Sequence, residues 1–399
     1  MALISVEDAL TRMLAGLKAL VTEQIAIGEA HGRVLAENLA AKRDQPPRDV
    51  SAMDGYAAKS GDLPGTLKVA GESGAGRPFA STLNPREAAR IFTGAVVPAG
   101  ADTVVAQEDA ERDGDRVTLP TSAPGKFVRK QGFDFKAGDV LIKAGRRLGA
   151  RDVGLAASMG HASVSVACRP RVALAATGDE LVRPGDVLAS DRIVASNPLS
   201  LAAIVRNEGG EVADLGIFPD RVEEIVRAIR RARDLPADVL VLIGGASVGD
   251  HDLVAPALAK EGVLPTFHRI ALRPGRPLLF AEAGALRVLG VPGNPVSSIV
   301  CALLFLVPLL RTLQSRSDAA LEPEAAVLGV ELPANDARQD YLRAKIERTP
   351  DGRLVATPFG RQDSALFALL TAADGLIVRP PHAPAAKQGE LCQVLRFAD

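Results

Sequence analysis

From Arg171 to Leu310, short and almost wholly apolar runs alternate with longer amphipathic stretches. Val172-Ala-Leu-Ala-Ala176, Glu211 to Leu215, Val239-Leu-Val-Leu-Ile243 and Arg287-Val-Leu-Gly-Val291 predict strands. Apolar runs of this length, without regular polar alternation, suit strands buried on both faces, as in parallel sheets covered by helices. Between them, Asn197-Pro198 opens a helix that closes at Gly209-Gly210, and a basic helix spans Arg221 to Arg233. Pro just inside the start and Gly just past the end is the expected asymmetry. The repeat predicts βαβ units whose ligands bind beyond the carboxyl ends of the strands.

The flanks read differently. Ser5-x-x-Asp8 is a capping box before apolar Ala9, Leu10, Met13, Leu14 and Leu17, which predicts an amphipathic helix. Residues 44–145 are rich in Gly, Pro and Asp and predict a small, mostly β module. In it, Asp113-Gly114 reads as a hairpin turn between Val104-Val105 and Val117-Thr-Leu119. Leu148 to Met159 predicts a helix. After Gln314 the alternation stops. Pro350-Asp-Gly352 then predicts a hairpin within a C-terminal β domain.

Composition narrows the function classes. Net charge is -1, which offers no overall basic field for nucleic acid. The three cysteines, Cys168, Cys301 and Cys392, lie far apart, as expected of a reducing compartment. The N-terminus lacks a signal-peptide pattern, and the apolar run Val296 to Leu310 falls short of the roughly 20 residues of a membrane span. A cytoplasmic protein with no membrane and no nucleic-acid partner is expected. The five histidines show no zinc spacing, and no nucleophile elbow or dinucleotide fingerprint is present.

The candidate chemistry lies where strands run into glycine turns. Gly244-Gly245-Ala-Ser247-Val-Gly249-Asp250 follows one strand, and Pro292-Gly-Asn-Pro295 follows another. Such turns let backbone amides approach an anion closely. The first is not a Walker A loop, because Asp250 stands where lysine is required. Between the turns, Arg269, Arg273 and Arg276 lie in a loop stiffened by Pro274 and Pro277, a pattern suited to an oxyanion. Glu180 and Asp252 follow strand ends that should converge on one sheet edge, which suggests Mg²⁺ beside phosphates. Asp220 precedes the basic helix, where capping explains it cheaply. By pattern alone Asp54 and Thr93 look like ordinary loop residues.

Several segments resemble the signatures of the molybdopterin molybdenumtransferase family, which also includes the C-terminal region of gephyrin. They are Ser51-Ala-Met-Asp-Gly-Tyr-Ala57, Arg90-Ile-Phe-Thr-Gly-Ala95, Thr177-Gly-Asp-Glu-Leu181, residues 244–252, Arg273-Pro-Gly-Arg-Pro277 and Pro292-Gly-Asn-Pro-Val-Ser297. The resemblance spans essentially the whole chain. It implies a multidomain α/β fold in four parts. Residues 1–45 and 146–170 would form a discontinuous linker domain in which the N-terminal helix packs with the 148–170 segment, and 46–145 a mostly β insert. Residues 171–315 would form a three-layer α/β molybdopterin-binding domain, and 316–399 a β-barrel-like domain.

The resemblance further implies a homodimer with sites shared between subunits. The implied reaction is Mg²⁺-dependent insertion of molybdate into adenylylated molybdopterin, with release of AMP. Adenylylation of molybdopterin or a scaffold role are the alternatives. The adenylyltransferase of the pathway and recipient molybdoenzymes are the partners implied. Carried over residue by residue, Asp54, Glu180 and Asp252 would be catalytic. Thr93, Asp134, Gly245, Ser247, Arg269, Arg273, Arg276, Pro292 and Pro295 would bind substrate, and Glu180, Asp220 and Asp252 would hold the metal. Three departures stand out: arginine where the family often has lysine in the basic loop, Phe133 beside Asp134, and apolar Ile243 before the glycine pair.

Overall fold

The computed structural model describes residues 3–245 and 252–397. At its centre is a six-stranded sheet. Its order is Glu211–Phe218, Arg171–Thr177, Val239–Ile243, Leu286–Val291, Leu279–Ala283 and Pro265–His268. The first four strands are parallel, and Leu279–Ala283 is antiparallel to both its neighbours. Side chains alternate across a strand, so an unbroken apolar run feeds two cores. Helices α1 (Val6–Leu14) and α2 (Ala150–Ser158) precede this layer in the chain. Val172, Leu174, Val239 and Val241 face one core together with helices α3 (Asn197–Asn207), α6 (Pro295–Cys301) and α7 (Val307–Leu313). Ala173, Ala175, Leu240 and Leu242 face the other, with α4 (Val222–Asp234) and α5 (Val254–Lys260). This is the three-layer arrangement anticipated from the apolar runs.

Residues 295–313 form one continuous helical segment whose middle, Ala302–Leu306, widens to π register. Pro308 has no N–H to donate to the preceding turn, which accounts for the irregularity. At 19 residues the segment is long and apolar enough to cross a membrane, contrary to the expectation from the 296–310 run, but 78% of its most apolar window is buried inside the protein. It is the central core helix.

The N-terminal helix (Val6–Leu14; Ser5 caps it, accepting from Asp8 N at 3.0 Å) departs from expectation. Val6, Ala9 and Met13 pack into the α/β core instead of on the 148–170 segment. The helix lies against α7 and the Pro265–His268 strand of the α/β layer. The linker core is built instead from residues such as Leu35, Leu39, Leu148 and Met159, joined by Ile142 from the end of the expected insert.

The inserted module is a six-stranded sheet. The Asp113-Gly114 turn joins Glu111–Asp113 to Arg116–Leu119, with Gly114 at φ 57°. Val104 and Val105 belong to a strand at the opposite sheet edge, so the hairpin exists with a different first strand from the expected one. In the C-terminal sheet, Gln339–Arg348 pairs with both Leu354–Pro358 and Gly375–Arg379, which closes five strands into a barrel. Leu272–Arg273, from the basic loop, adds to this barrel in parallel with Gln339 and Asp340.

Linker and α/β layers meet at a buried charge hub. Glu208, only 6% exposed, accepts from Arg311 at 2.9 and 3.0 Å and from Arg316 at 2.6 Å. Gln314 donates to the Glu208 carbonyl at 2.9 Å, and Ser317 N donates at 3.0 Å to the carbonyl of Gly145, where the insert returns to the linker. Removing one partner of a buried ion pair strands the others. Glu208→Ala should therefore cost about 3–5 kcal/mol in chemical denaturation. Asp318→Ala, at the exposed end of the same network, should cost about 1 kcal/mol or less.

Candidate functional site

The chain leaves Arg171–Thr177 toward one side of the sheet and enters Val239–Ile243 on the other, so the strand order reverses between these neighbours. Such a switch point opens a crevice at the carboxyl edge. Here it is a cavity of about 420 Å³, walled by Thr177, Glu180, Asn197, Asp220, Gly245 and the Pro292–Pro295 turn, among others. The starts of α3 and α6, with Pro198 and Pro295 in their first turns, border it.

Glycine is required in one turn for lack of room. Gly244 adopts φ 90°, and a Cβ there would meet the Thr177 carbonyl at 2.6 Å. At Gly293 the situation is the reverse. A Cβ would meet nothing closer than the Gly244 Cα at 3.8 Å, so the space between the two turns is open.

Glu180 and Asp220 share this cavity. Asp220 is exposed on its outer side, yet its carboxyl is raised above the ordinary value by partial burial, then by Glu180 and Asp179. The Thr177 hydroxyl tempers the shift without reaching hydrogen-bonding geometry. Its Oγ1 is buried and unpaired among the described residues. Clustered like charges of this kind are what a hard divalent cation relieves, and Mg²⁺ takes few protein carboxylates beside substrate phosphates. The pair fits Mg²⁺.

Asp252 does not join them. Its Oδ2 lies 3.3 Å from His268 Nε2, misaligned for a hydrogen bond. Burial lowers the His268 pKa, against the pull of Asp252, and neighbouring Arg269 lowers it further. Among the described residues no three His, Cys, Asp or Glu side chains form a group that could hold a metal. The expected trio of Glu180, Asp220 and Asp252 is thus a pair plus a separate Asp–His contact. Ser247 lies outside the described residues.

The three arginines also separate. Arg273 donates to Asp336 at 3.2 Å and Asn335 at 3.1 Å and pairs with Asp340, so the barrel neutralises it. Arg269 stands at φ 74° beside His268, with its Nε buried and unpaired among the described residues. Arg276 is exposed, without an ion pair among the described residues, and next to Pro277 in the cavity wall. It is the cation best placed for an incoming anion.

On the inserted module, Asp54 Oδ1 accepts from both the N and Oγ1 of Thr93 at 2.7 Å. The Thr93 hydroxyl, then its N–H, hold this carboxyl below its ordinary value. Asp134 lines a different, open cavity of about 950 Å³ with Arg48, Arg129, Phe133 and Gly94, the neighbour of Thr93. No hydrogen bond among the described residues links this module to the α/β sheet. Sequence reasoning missed Asn197, Asn294 and Ser364. Asn197 bonds the Gly293 carbonyl at 2.6 Å, and Asn294 bonds Ser364 Oγ of the barrel at 3.1 Å. Asn197-Pro198 carried a signal, but one that a helix start already explained.

A doubly wound α/β layer with an anion-ready cavity, carrying a β insert and a closed barrel, defines a multidomain α/β protein built to hold an anionic ligand. Three family models cover the chain: the MoeA N-terminal region (domain I and II) at residues 4–160, a probable molybdopterin binding domain at 173–312, and the MoeA C-terminal region (domain IV) at 325–397. The chain is 33% identical to a molybdopterin molybdenumtransferase of Haemophilus influenzae, over 99% of each chain. It is 40% identical to one of Nostoc, over 73% of this chain and 69% of that one. A solved molybdopterin biosynthesis protein of Pyrococcus horikoshii superposes with TM-score 0.86 at 30% identity, covering 100% of both chains. The chain belongs to the molybdopterin molybdenumtransferase family, the transferases of molybdenum cofactor biosynthesis.

Gly293→Ala should fold normally, with its melting temperature within about 2 °C of wild type, yet exclude ligand from the slot. Gly244→Ala should lose about 2 kcal/mol or more from backbone strain and the clash. Thermal melts with and without ligand separate the two. The Asp220 carboxyl has a raised folded pKa, so its contribution is fully present below its unfolded value of 3.8 and is lost as pH rises through the higher folded value. At neutral pH its charge opposes folding. Asp220→Asn should therefore melt higher than wild type at pH 7, with the gap closing toward pH 3.5; a lower melting temperature at pH 7 would contradict this.

Proposed function

We propose that the chain inserts molybdenum from molybdate into adenylylated molybdopterin and releases AMP, in a Mg²⁺-dependent reaction. The observation that carries this reading is the convergence of Glu180 and Asp220 with two glycine turns and two helix starts in one cavity. Free backbone amides at those turns would bind phosphate oxygens, and Arg276 would add a charge-assisted contact. Glu180 and Asp220 would hold Mg²⁺, whose charge would offset that of the phosphates. Asp54, kept ionised by Thr93, is a weak proton acceptor but a strong hydrogen-bond acceptor. It would orient the water that cleaves the phosphoanhydride.

Asp54 and Thr93 have no bonded route to the cavity of their own chain among the described residues. This favours a homodimer in which the module of one subunit serves the cavity of the other. The division of the chain at residues 45, 145, 170 and 315 belongs to the same proposal. So does a cytoplasmic location, which suits three unpaired cysteines. The supplier of substrate would be an adenylyltransferase, and the recipients molybdoenzymes.

Incubation of the protein with adenylylated molybdopterin, molybdate and Mg²⁺ should release AMP in step with molybdenum incorporation. Consumption of ATP with release of pyrophosphate would instead assign the preceding adenylylation. Asp54→Ala and Glu180→Ala should each abolish most turnover. Heterodimers mixing the two variants should regain about a quarter to a half of wild-type activity through the one intact hybrid site. Verified heterodimers that stay inactive would contradict the shared site.

A further inference from the structure

Asn197 opens α3 in the cavity wall and is only 7% exposed. Its Nδ2 donates to the carbonyl of Gly293 at 2.6 Å, 96 residues further along the chain. A carbonyl can only accept, so this bond settles the amide's orientation, with Nδ2 toward the turn and Oδ1 away from it. That Oδ1 is buried and has no partner among the described residues. A buried unpaired oxygen is unfavourable, and leucine would fill the same space without it. The side chain is therefore explained by its NH₂ group.

The Gly293 carbonyl shares a peptide plane with the Asn294 N–H, and the two point in opposite directions. Fixing one fixes the other. At this helix start Pro295 has no N–H, and the Val296 N–H goes to the Ser364 carbonyl at 3.2 Å. Asn294 N–H and Ser297 N–H have no partner among the described residues. They head a continuous 19-residue helical segment. An N-terminus of that kind suits an anion.

We propose that Asn197 is a positioning residue for this turn. It holds the Gly293 peptide so that the amides of Asn294 and Ser297 are aligned for a phosphate-type oxyanion, and it does not itself touch the reacting atoms. The inference rests on the cavity being the substrate site.

The test is calorimetric titration of AMP into wild type and Asn197→Leu with Mg²⁺ present, alongside thermal melts of both. The expected result is a loss of about tenfold or more in AMP affinity. The melting temperature should be held or raised, because the variant lacks the unpaired oxygen. Equal affinity in the two proteins would overturn the inference while leaving the cavity assignment standing. A parallel fall in affinity and melting temperature would make Asn197 an ordinary brace and also overturn it. If wild type itself does not bind AMP, both the cavity assignment and this inference fail.

Discussion

Thr177 and Gly244 end adjacent parallel strands, and the backbone of one occupies the place where a side chain of the other would stand. Because the chain departs in opposite directions from these strands, the two turns must pass each other with only glycine between them. That constraint brings Gly245, the Pro292–Pro295 turn and the start of α3 around one cavity. The sheet holds them there because its strands feed apolar cores on both faces, so strand ends cannot shift without opening a core.

The cavity is electrostatically unbalanced. At two other clusters close charges are matched: Glu208 by Arg311 and Arg316, Arg273 by Asp336 and Asp340. At the cavity, Asp220 and Glu180 line the same wall and repel each other, and Arg276 makes no ion pair among the described residues. Matched charges hold the layers to one another. Unmatched ones leave a site that is completed by what it binds. Asp54 belongs to a third situation, a carboxylate already satisfied by the Thr93 N–H and hydroxyl and so held in its ionised form.

How much of this was legible in the sequence depends on the range of the interaction. The strands at 172–176 and 239–243 were readable because burial on both faces writes an apolar run directly into the chain. The glycine turns were readable because few residues tolerate such backbone. Long-range pairings were not. Nothing near Arg273 announces that Asp336 and Asp340, more than sixty residues away, neutralise it. Asp252 was expected beside Glu180 because it follows a strand end, and its approach to His268, sixteen residues on, had no signal in the chain. The N-terminal helix showed its apolar face correctly, yet a face does not name its cover. Asn197 was read as a helix opener, which it is, and its bond to Gly293 is a tertiary fact.

The location of the substrate site is tested most directly by a crystal structure of the protein with AMP and Mg²⁺. The predicted result is a phosphate seated between the 244–245 and 292–295 turns, with the metal on Glu180 and Asp220. AMP found instead in the barrel crevice by Arg273, or in the module cavity beside Phe133 with the switch-point cavity empty, would contradict it.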